Sequence, residues 1–186
     1  LAKGKHLLSL KDLNQTENIG KLIEAGVTSL KIEGRLKDIS YVKNITAYYR
    51  KVIDDLLTRN GAYCKSSSGS TKLNFVPNPN FSFSRTFTTY FSESRQGNLT
   101  TFDTQKSLGE FMGTIIIASQ NWFKLSKEHT ISNNDGLCFL GKNGNLEGIK
   151  VNKVEGSKVF PNREVEISKG VKVYRNYYHK FSRILL

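Results

Sequence analysis

The sequence is poor in the residues that build metal centres and disulfide frameworks. Its two cysteines, Cys64 and Cys138, are far apart and form no CxxC pair, so neither a zinc site nor a disulfide framework is indicated. The three histidines, His6, His129 and His179, lack metal-ligand spacing and accompany no serine or cysteine motif. We therefore predict no metal site within this chain, and we interpret Cys138 as a small buried hydrophobic residue.

Long apolar runs are also absent. No stretch approaches the roughly 18 residues that a membrane-spanning helix needs, and the sequence shows no signal-peptide pattern. We therefore expect a cytoplasmic protein that does not enter membranes. The chain begins at Leu1 without an initiator methionine. We interpret it as an internal or C-terminal fragment of a longer protein, whose missing N-terminal part would be a partner of this chain.

Acidic residues are scarce relative to basic ones. Lys and Arg number 28 against 16 Asp and Glu, which gives a formal net charge of +12. Such an excess favours polyanionic partners such as RNA. The excess is spread along the chain rather than gathered in one patch, and many basic domains bind no nucleic acid. The charge alone therefore leaves both RNA and protein substrates open.

Apolar periodicity predicts two helices in the first third of the chain. Residues 16–25 have an amphipathic pattern that ends at Gly26, where a left-handed cap is expected. Residues 38–58 place apolar side chains at three- and four-residue steps, with Asp38 or Ser40 as the N-cap. The second of these helices has the clearest pattern in the chain.

The segment between these helices alternates apolar and charged side chains. Leu30 and Ile32 fall on one face of the strand that this alternation predicts, and Lys31 and Glu33 fall on the other. Helix–strand–helix is a piece of a βα-repeating fold, in which charged groups near a strand's C-terminal end lie at the catalytic end. We therefore take Glu33, Lys31 and Arg35 as the candidate catalytic set. Glu33 would be a general base or orienting carboxylate and Arg35 an anion-binding cation. A Lys31–Glu33 ion pair that only compensates charge is the alternative.

The composition changes in the polar, serine-rich segment 61–72, which we interpret as a linker between domains 1–60 and 73–186. Beyond it the sequence predicts six short strands separated by turn signals, at 113–118, 122–125, 136–140, 148–155, 158–160 and 171–175. Short strands with tight turns favour a small closed β-barrel. The predicted fold class is therefore α+β.

The C-terminal run of residues 172–183 interleaves basic and aromatic side chains. Arg175 and Lys180 in this run suit a phosphate backbone beside stacked bases, so both are candidate substrate-binding residues. A half-buried edge strand followed by a tail produces the same pattern and is the alternative that we favour.

Four segments resemble, in order, the collagenase-like peptidase family, peptidase family U32. Residues 6–27 and 29–54 resemble two consecutive blocks of that family. "FSFSRTFTTYF" at 81–91 resembles its F-N-R-G-F-T-T-G-Y/F segment, and "SLGEFMGTI" at 107–115 resembles its G-x-x-x-G-x-V entry to a C-terminal β-domain. The resemblance is closest to Bacteroides-type members. It implies that residues 1–60 are the last helix–strand–helix of a TIM-like barrel. The order of the predicted strands also resembles the second domain of translation elongation factors.

The resemblance adds candidate site residues. It places Lys11 and Asp12 near the active end of the barrel and matches Arg85 with a family arginine, so these three join the candidate substrate-binding residues. Helix capping is the alternative for Asp12. Thr86 stands where the family has glycine. Asn14 stands where some members carry a cysteine, and this departure argues against an iron–sulfur ligand in this segment.

The resemblance implies three possible activities. The family is classed as peptidases without an agreed catalytic type, which implies a fragment of a collagenase-like hydrolase. Bacterial relatives are linked to hydroxylation of transfer or ribosomal RNA, with an iron–sulfur cluster held by cysteines outside this region. An accessory RNA- or protein-binding β-barrel is the third. We expect no cofactor in this chain and no turnover by the chain alone. We also expect an apolar face on residues 38–58 that favours a homodimer.

Overall fold

A computed structural model describes residues 6, 8–102, 104–128 and 130–186, so His129 lies outside the described residues. The predicted α+β class is confirmed. The helices are α1 (Ile19–Glu24), α2 (Ile39–Arg59) and α3 (His179–Leu185). The strands are β1 (Asp12–Leu13), β2 (Phe87–Thr88), β3 (Glu110–Ala118), β4 (Phe123–Leu125), β5 (Gly136–Leu140), β6 (Leu146–Glu155), β7 (Lys158–Pro161) and β8 (Lys172–Tyr177). Within the described part, no helix combines the length and apolar character needed to cross a membrane.

The two predicted helices form where their apolar periodicity places them. Asp38 has extended backbone and accepts a hydrogen bond from the Tyr41 N–H at 2.7 Å, which makes it the N-cap of α2. The shorter pattern yields a 3₁₀ turn, Thr16–Asn18, followed by α1. Gly26 follows α1 with φ of +89°, the left-handed conformation expected at that position.

The strand predicted over residues 29–33 is wrong. Residues 27–34 adopt neither helix nor strand, and Leu30 is 39% exposed. A strand is stable only where its backbone groups pair with a neighbouring strand, and no described strand pairs with this segment. The sequence of residues 29–33 alternates as a strand does, but the segment lacks the inter-strand hydrogen bonds that would hold it as a strand. The TIM-like arrangement stays a prediction.

A two-stranded parallel sheet joins the N-terminal part to the middle of the chain. Strand β1 pairs with β2, with Asp12 opposite Phe87. The Asp12 N–H also donates to the Thr86 carbonyl at 2.9 Å. Residues 61–72, the predicted linker, are exposed and contain no helix or strand. The barrel strands begin only at Glu110, so the predicted second domain starts earlier in the chain than the barrel does.

The C-terminal strands form a closed antiparallel barrel in the order β3-β4-β7-β6-β5-β8, and all six predicted strands are present. Their inward-facing apolar side chains make one continuous core, and each fully buried side chain contributes about 1.5–3 kcal/mol. The core residues are Met112, Ile115, Phe123, Leu125, Leu137, Phe139, Ile149, Val151, Val159 and Val173. The similarity to the second domain of elongation factors stays a prediction.

The C-terminal run differs from the expected edge strand and tail. Strand β8 lies between β3 and β5, and the residues after it form α3. The Phe181 ring on α3 packs edge-on against Phe75 and Phe81, with centroids 5.7 and 5.1 Å away. Lys43 on α2 donates to the Leu185 carbonyl at the end of α3. Helix α3 therefore ties the end of the barrel to the N-terminal part.

Candidate functional site

A cleft of about 690 Å³ opens in the N-terminal part of the molecule, and we call it the N-terminal cleft. Side chains from α1 and α2 form its apolar walls, and residues of β1 and of the segment 30–37 complete it. Five of the eight predicted site residues line it: Asp12, Lys31, Glu33, Arg35 and Arg85. The structure thus gathers residues that are up to 73 positions apart in the sequence, as the Asp12–Arg85 hydrogen bonds show.

Asp12 and Arg85 form a half-buried clamp at one side of the cleft. The carboxylate of Asp12 accepts a hydrogen bond from the Arg85 backbone N–H at 2.7 Å and another from its guanidinium at 3.3 Å. Asp12 therefore positions Arg85 and does not cap a helix. Because the Asp12 backbone also bonds to the Thr86 carbonyl, β1 and the turn at Thr86 fix the clamp from both sides.

Glu33 lies in the exposed segment before α2 and also lines the cleft. Its carboxylate accepts the Arg35 backbone N–H at 3.0 Å and lies 3.9 Å from the Lys31 ammonium. The Lys31 and Glu33 side chains are 88% and 71% exposed, so solvent screens their attraction, and such pairs contribute about 0–1 kcal/mol. The compensating ion pair therefore forms, but it leaves both charged groups accessible to a ligand.

Lys37 and Tyr41 also line the cleft and were missed by the sequence analysis. The Lys37 ammonium lies 3.5 Å from the centroid of the Phe83 ring and 5.3 Å from that of Tyr41. Burial lowers the pKa of Lys37, and the Asp12 carboxylate partly opposes this shift. Burial also raises the pKa of Tyr41, with Asp12 adding to the effect. Both residues fall inside the family-like block 29–54, but neither the alternation of residues 29–33 nor the apolar stripe of α2 marks them as site residues.

Asn14 closes a short hydrogen-bonded turn next to the cleft. Its side-chain oxygen accepts the Thr16 N–H at 3.0 Å and lies 3.5 Å from the Tyr49 hydroxyl. The described residues contain no group of three or more His, Cys, Asp or Glu able to hold a metal. Cys64 is exposed, and Cys138 is buried in the barrel. These residues do not fit an iron–sulfur cluster.

Arg175 is placed differently from the substrate contact that the sequence predicts. Its side chain is 3% exposed, and its guanidinium lies 3.4 Å from the fully buried Asp135 carboxylate and donates to Glu110. The Tyr178 ring covers it at 3.7 Å. Because a buried, paired guanidinium offers no face to a phosphate, Arg175 connects β8 to β3 and to the loop before β5 instead.

Lys11 and Lys180 do not line the cleft. Lys180 is exposed on α3, beside His179, whose backbone N–H donates to Asp135 at 2.9 Å. The backbone carbonyl of Lys11 accepts a hydrogen bond from the Tyr90 hydroxyl at 2.8 Å. Both roles in substrate binding stay predictions.

Comparison with protein families gives a match over the N-terminal part of the chain. The model of peptidase family U32 matches residues 2–101, which include the whole lining of the cleft. The chain belongs to peptidase family U32, as its motifs predicted. No solved structure matches it.

The chain is similar to proteins of two kinds. It is 42% identical over 163 residues to the 23S rRNA 5-hydroxycytidine synthase of Escherichia coli K12, covering 85% of this chain and 25% of that protein. It is 53% identical over 57 residues to tRNA hydroxylation protein P1 of Bacillus subtilis, covering 31% of this chain and 12% of that protein. It is 46% identical over 63 residues to an uncharacterized protease of Methanocaldococcus jannaschii, covering 34% of this chain and 15% of that protein. The chain therefore spans a quarter or less of the length of each.

Proposed function

We propose that this chain is part of an RNA-hydroxylating enzyme and that the N-terminal cleft contributes to binding its RNA. The observation that carries the proposal is the similarity to the E. coli rRNA synthase, which extends over 85% of this chain. Such a length includes most of both the cleft region and the barrel. The tRNA hydroxylation protein of B. subtilis supports the same class of substrate.

The charges around the cleft suit a polyanionic ligand. Four cationic side chains line it, against the two carboxylates of Asp12 and Glu33; they are Lys31, Arg35, Lys37 and Arg85. In the proposed function, Arg35 and Arg85 bind phosphate oxygens, which position a nucleic acid without reading its sequence. Glu33 orients the target nucleotide by accepting a hydrogen bond from a base edge or a ribose hydroxyl. Side chains of this chain are sufficient for each of these binding roles.

A peptidase reading is supported only by the family name and the archaeal relative. Peptidases that use a nucleophile need a serine, cysteine or threonine beside a base. The described lining of the cleft contains no serine, cysteine, threonine or histidine. We therefore place RNA modification ahead of peptide hydrolysis as the function of the longer protein. The cytoplasmic location and the homodimer through α2 stay predictions.

The proposed function is tested with a chimera. This chain replaces the matching segment of the E. coli 23S rRNA 5-hydroxycytidine synthase in a strain that lacks the enzyme. Mass spectrometry of digested 23S rRNA then measures 5-hydroxycytidine. We expect the chimera to restore the modified nucleoside. We expect Arg35→Ala or Glu33→Gln to lower it roughly tenfold, a loss of about 1.4 kcal/mol of transition-state stabilisation.

Lys51→Ala on the exposed surface of α2 is the matched control and should leave the modification unchanged. Full modification by both cleft variants would contradict the role of the cleft. A folded chimera that yields no 5-hydroxycytidine would contradict the function itself. Turnover by the isolated chain that is lost in Glu33→Ala would contradict its expected inactivity.

A further inference from the structure

The outer surface of the barrel carries a basic and aromatic face made by β4, β7 and β6. Along these strands side chains alternate, so Phe123 and Val159 enter the core while their neighbours Lys124 and Lys158 point outward. On the adjoining strand Lys153 stands opposite Phe160. Together with the ring that precedes β4, these side chains form what we call the barrel lysine face: Trp122, Lys124, Lys153, Lys158 and Phe160.

The lysines of this face lie over its aromatic rings. The Lys158 ammonium is 4.5 Å from the centroid of the Trp122 ring, and the Lys153 ammonium is 4.6 Å from that of Phe160. Such pairs orient a ring and a cation side by side on a solvated surface. The same two groups are what a single-stranded nucleic acid requires, because its bases stack on rings and its phosphates attract cations.

The barrel lysine face carries more lysine charge than carboxylate charge. Lys124 and Lys158 stand directly opposite each other in the β4–β7 ladder, and like charges at opposed positions destabilise a sheet. Glu155 stands opposite Lys158 in the β6–β7 ladder, and its carboxylate pairs with the Lys153 ammonium at 2.7 Å. Within the described part of the chain, neither Lys124 nor Lys158 has an ion-pair partner. Glu155 is thus the cross-strand carboxylate for Lys158 but is shared with Lys153, so the face keeps an excess of lysine charge, which favours a polyanionic ligand.

We propose that the barrel lysine face binds single-stranded RNA, with Lys124 and Lys158 on phosphates and with Trp122 and Phe160 stacking on bases. The inference rests on the proposed function, and it deepens that function by naming a second RNA contact outside the cleft. This face gathers three lysines on neighbouring strands and two rings, whereas in the C-terminal run that suggested RNA binding Arg175 is buried.

The chain contains one tryptophan, so the fluorescence of Trp122 reports directly on this face. The experiment titrates the whole chain with a uridine oligonucleotide at two salt concentrations. We expect quenching of Trp122 and an affinity that falls as salt rises, because phosphate contacts release counterions. The double variant Lys124→Glu, Lys158→Glu should bind at least about tenfold more weakly, because the charge at two phosphate contacts is reversed. The neutral pair Lys124→Gln, Lys158→Gln serves if the reversed pair does not fold.

The matched control is Lys106→Glu, Lys169→Glu, which reverses two exposed lysines elsewhere and gives the same net charge. It should bind within about twofold of the unmodified chain. Equal weakening in both pairs would mean that affinity follows net charge alone, and it would overturn the assignment to this face. Equal quenching of Trp122 by inorganic polyphosphate would overturn base stacking.

The failure of this inference is distinguishable from failure of the proposed function. A chain that does not bind the oligonucleotide at about 50 mM salt refutes the barrel lysine face. The chimera would nevertheless produce 5-hydroxycytidine if the function of the cleft is right. Binding that persists in the Lys124 and Lys158 variants likewise refutes this surface and leaves the cleft as the RNA contact.

Discussion

A single strained residue sets the geometry of the cleft. Thr86 has φ of +69°, in the left-handed region that β-branched residues rarely adopt, at the position where the family resemblance places a glycine. The conformation is maintained because Arg85 bonds to the Asp12 carboxylate and the Thr86 carbonyl accepts the Asp12 N–H. The chain therefore tolerates strain at Thr86 in order to keep Arg85 at the cleft.

Thr86→Gly should stabilise the protein. Removing the Cβ relieves about 1–2 kcal/mol of left-handed strain, against about 0.5–1 kcal/mol for the greater freedom of glycine in the unfolded chain. We expect a net increase of about 0.5–1 kcal/mol in the free energy of unfolding, measured by urea denaturation at an unchanged m-value. Thr86→Ala keeps the Cβ and should give no such gain. A glycine variant no more stable than the alanine variant would contradict the strain.

The two thiols should differ sharply in reactivity. Burial raises the pKa of Cys138 from 9.0 to about 11, whereas Cys64 is exposed. A disulfide reagent at about pH 8 should therefore modify one thiol quickly in the native chain and two after denaturation, because only thiolates react. Cys64→Ser should leave no fast thiol, and a fast thiol remaining in that variant would show that Cys138 is accessible.

The same shift makes stability depend on pH at the alkaline end. The folded state binds the Cys138 proton more tightly than the unfolded state does. Its contribution is therefore complete below about pH 9 and is lost as pH rises towards 11. The variant Cys138→Ala should show a shallower loss of stability across that range than the unmodified chain.

At the scale of elements, the start of β3 depends on close approach of two backbones. Gly109 has φ of +74°, and a Cβ built there would lie 2.1 Å from the Arg175 carbonyl oxygen on β8. Gly113, four residues later, has φ of +132° beside an irregular register with β8. The G-x-x-x-G pattern of the family motif thus marks the two places where β3 bends against β8.

Gly109→Ala should therefore destabilise the barrel. The clash is with backbone atoms that cannot rotate away, so we expect a loss of about 2–4 kcal/mol in the free energy of unfolding. Gly148→Ala is the matched control, because a Cβ there meets no atom within 4 Å. It should change stability by less than about 0.5 kcal/mol. Similar losses in both variants would refute the close approach as the cause.

The elements that the sequence predicted correctly are those whose signals are local. Helix α2 has a sustained apolar stripe and the Asp38 cap, and the barrel strands have alternation bounded by turn residues. The strand at residues 29–33 failed because alternation does not supply a pairing partner. Helix α3 was missed because it is seven residues long, has no side-chain cap and is fixed by tertiary contacts of Phe181.

The candidate site was predictable in part for the same reason. Residues 31–35 stood out as charges beside a glycine, and the resemblance supplied Asp12 and Arg85, so five predicted residues share the cleft. Lys37 could not be inferred, because its position over the Phe83 ring depends on the fold. Arg175 was misplaced because a sequence does not show that Asp135 and Glu110 converge on it.

The whole molecule has two parts that differ in how completely their backbone hydrogen bonds are paired. The barrel closes on itself and has a continuous core, so its backbone groups are paired around the ring. The N-terminal part has one short parallel sheet, and the segment between α1 and α2 has no strand partner within the described residues. The relatives are at least about four times longer than the matched length. The predicted TIM-like arrangement would require strands beside residues 29–33 that the described residues do not supply.

Hydrogen exchange tests this division across the whole chain. We expect backbone amides of residues 27–34 to exchange within seconds, because they lack ladder hydrogen bonds, whereas those of β5 and β8 exchange over hours. The predicted TIM-like arrangement requires the E. coli synthase to supply strands beside this segment, so in the chimera the segment should gain protection while the barrel stays unchanged. The barrel strands serve as the internal reference in both samples. Strong protection of residues 27–34 in the isolated chain would mean that they pair without further strands, and it would overturn this account of why the predicted strand is absent.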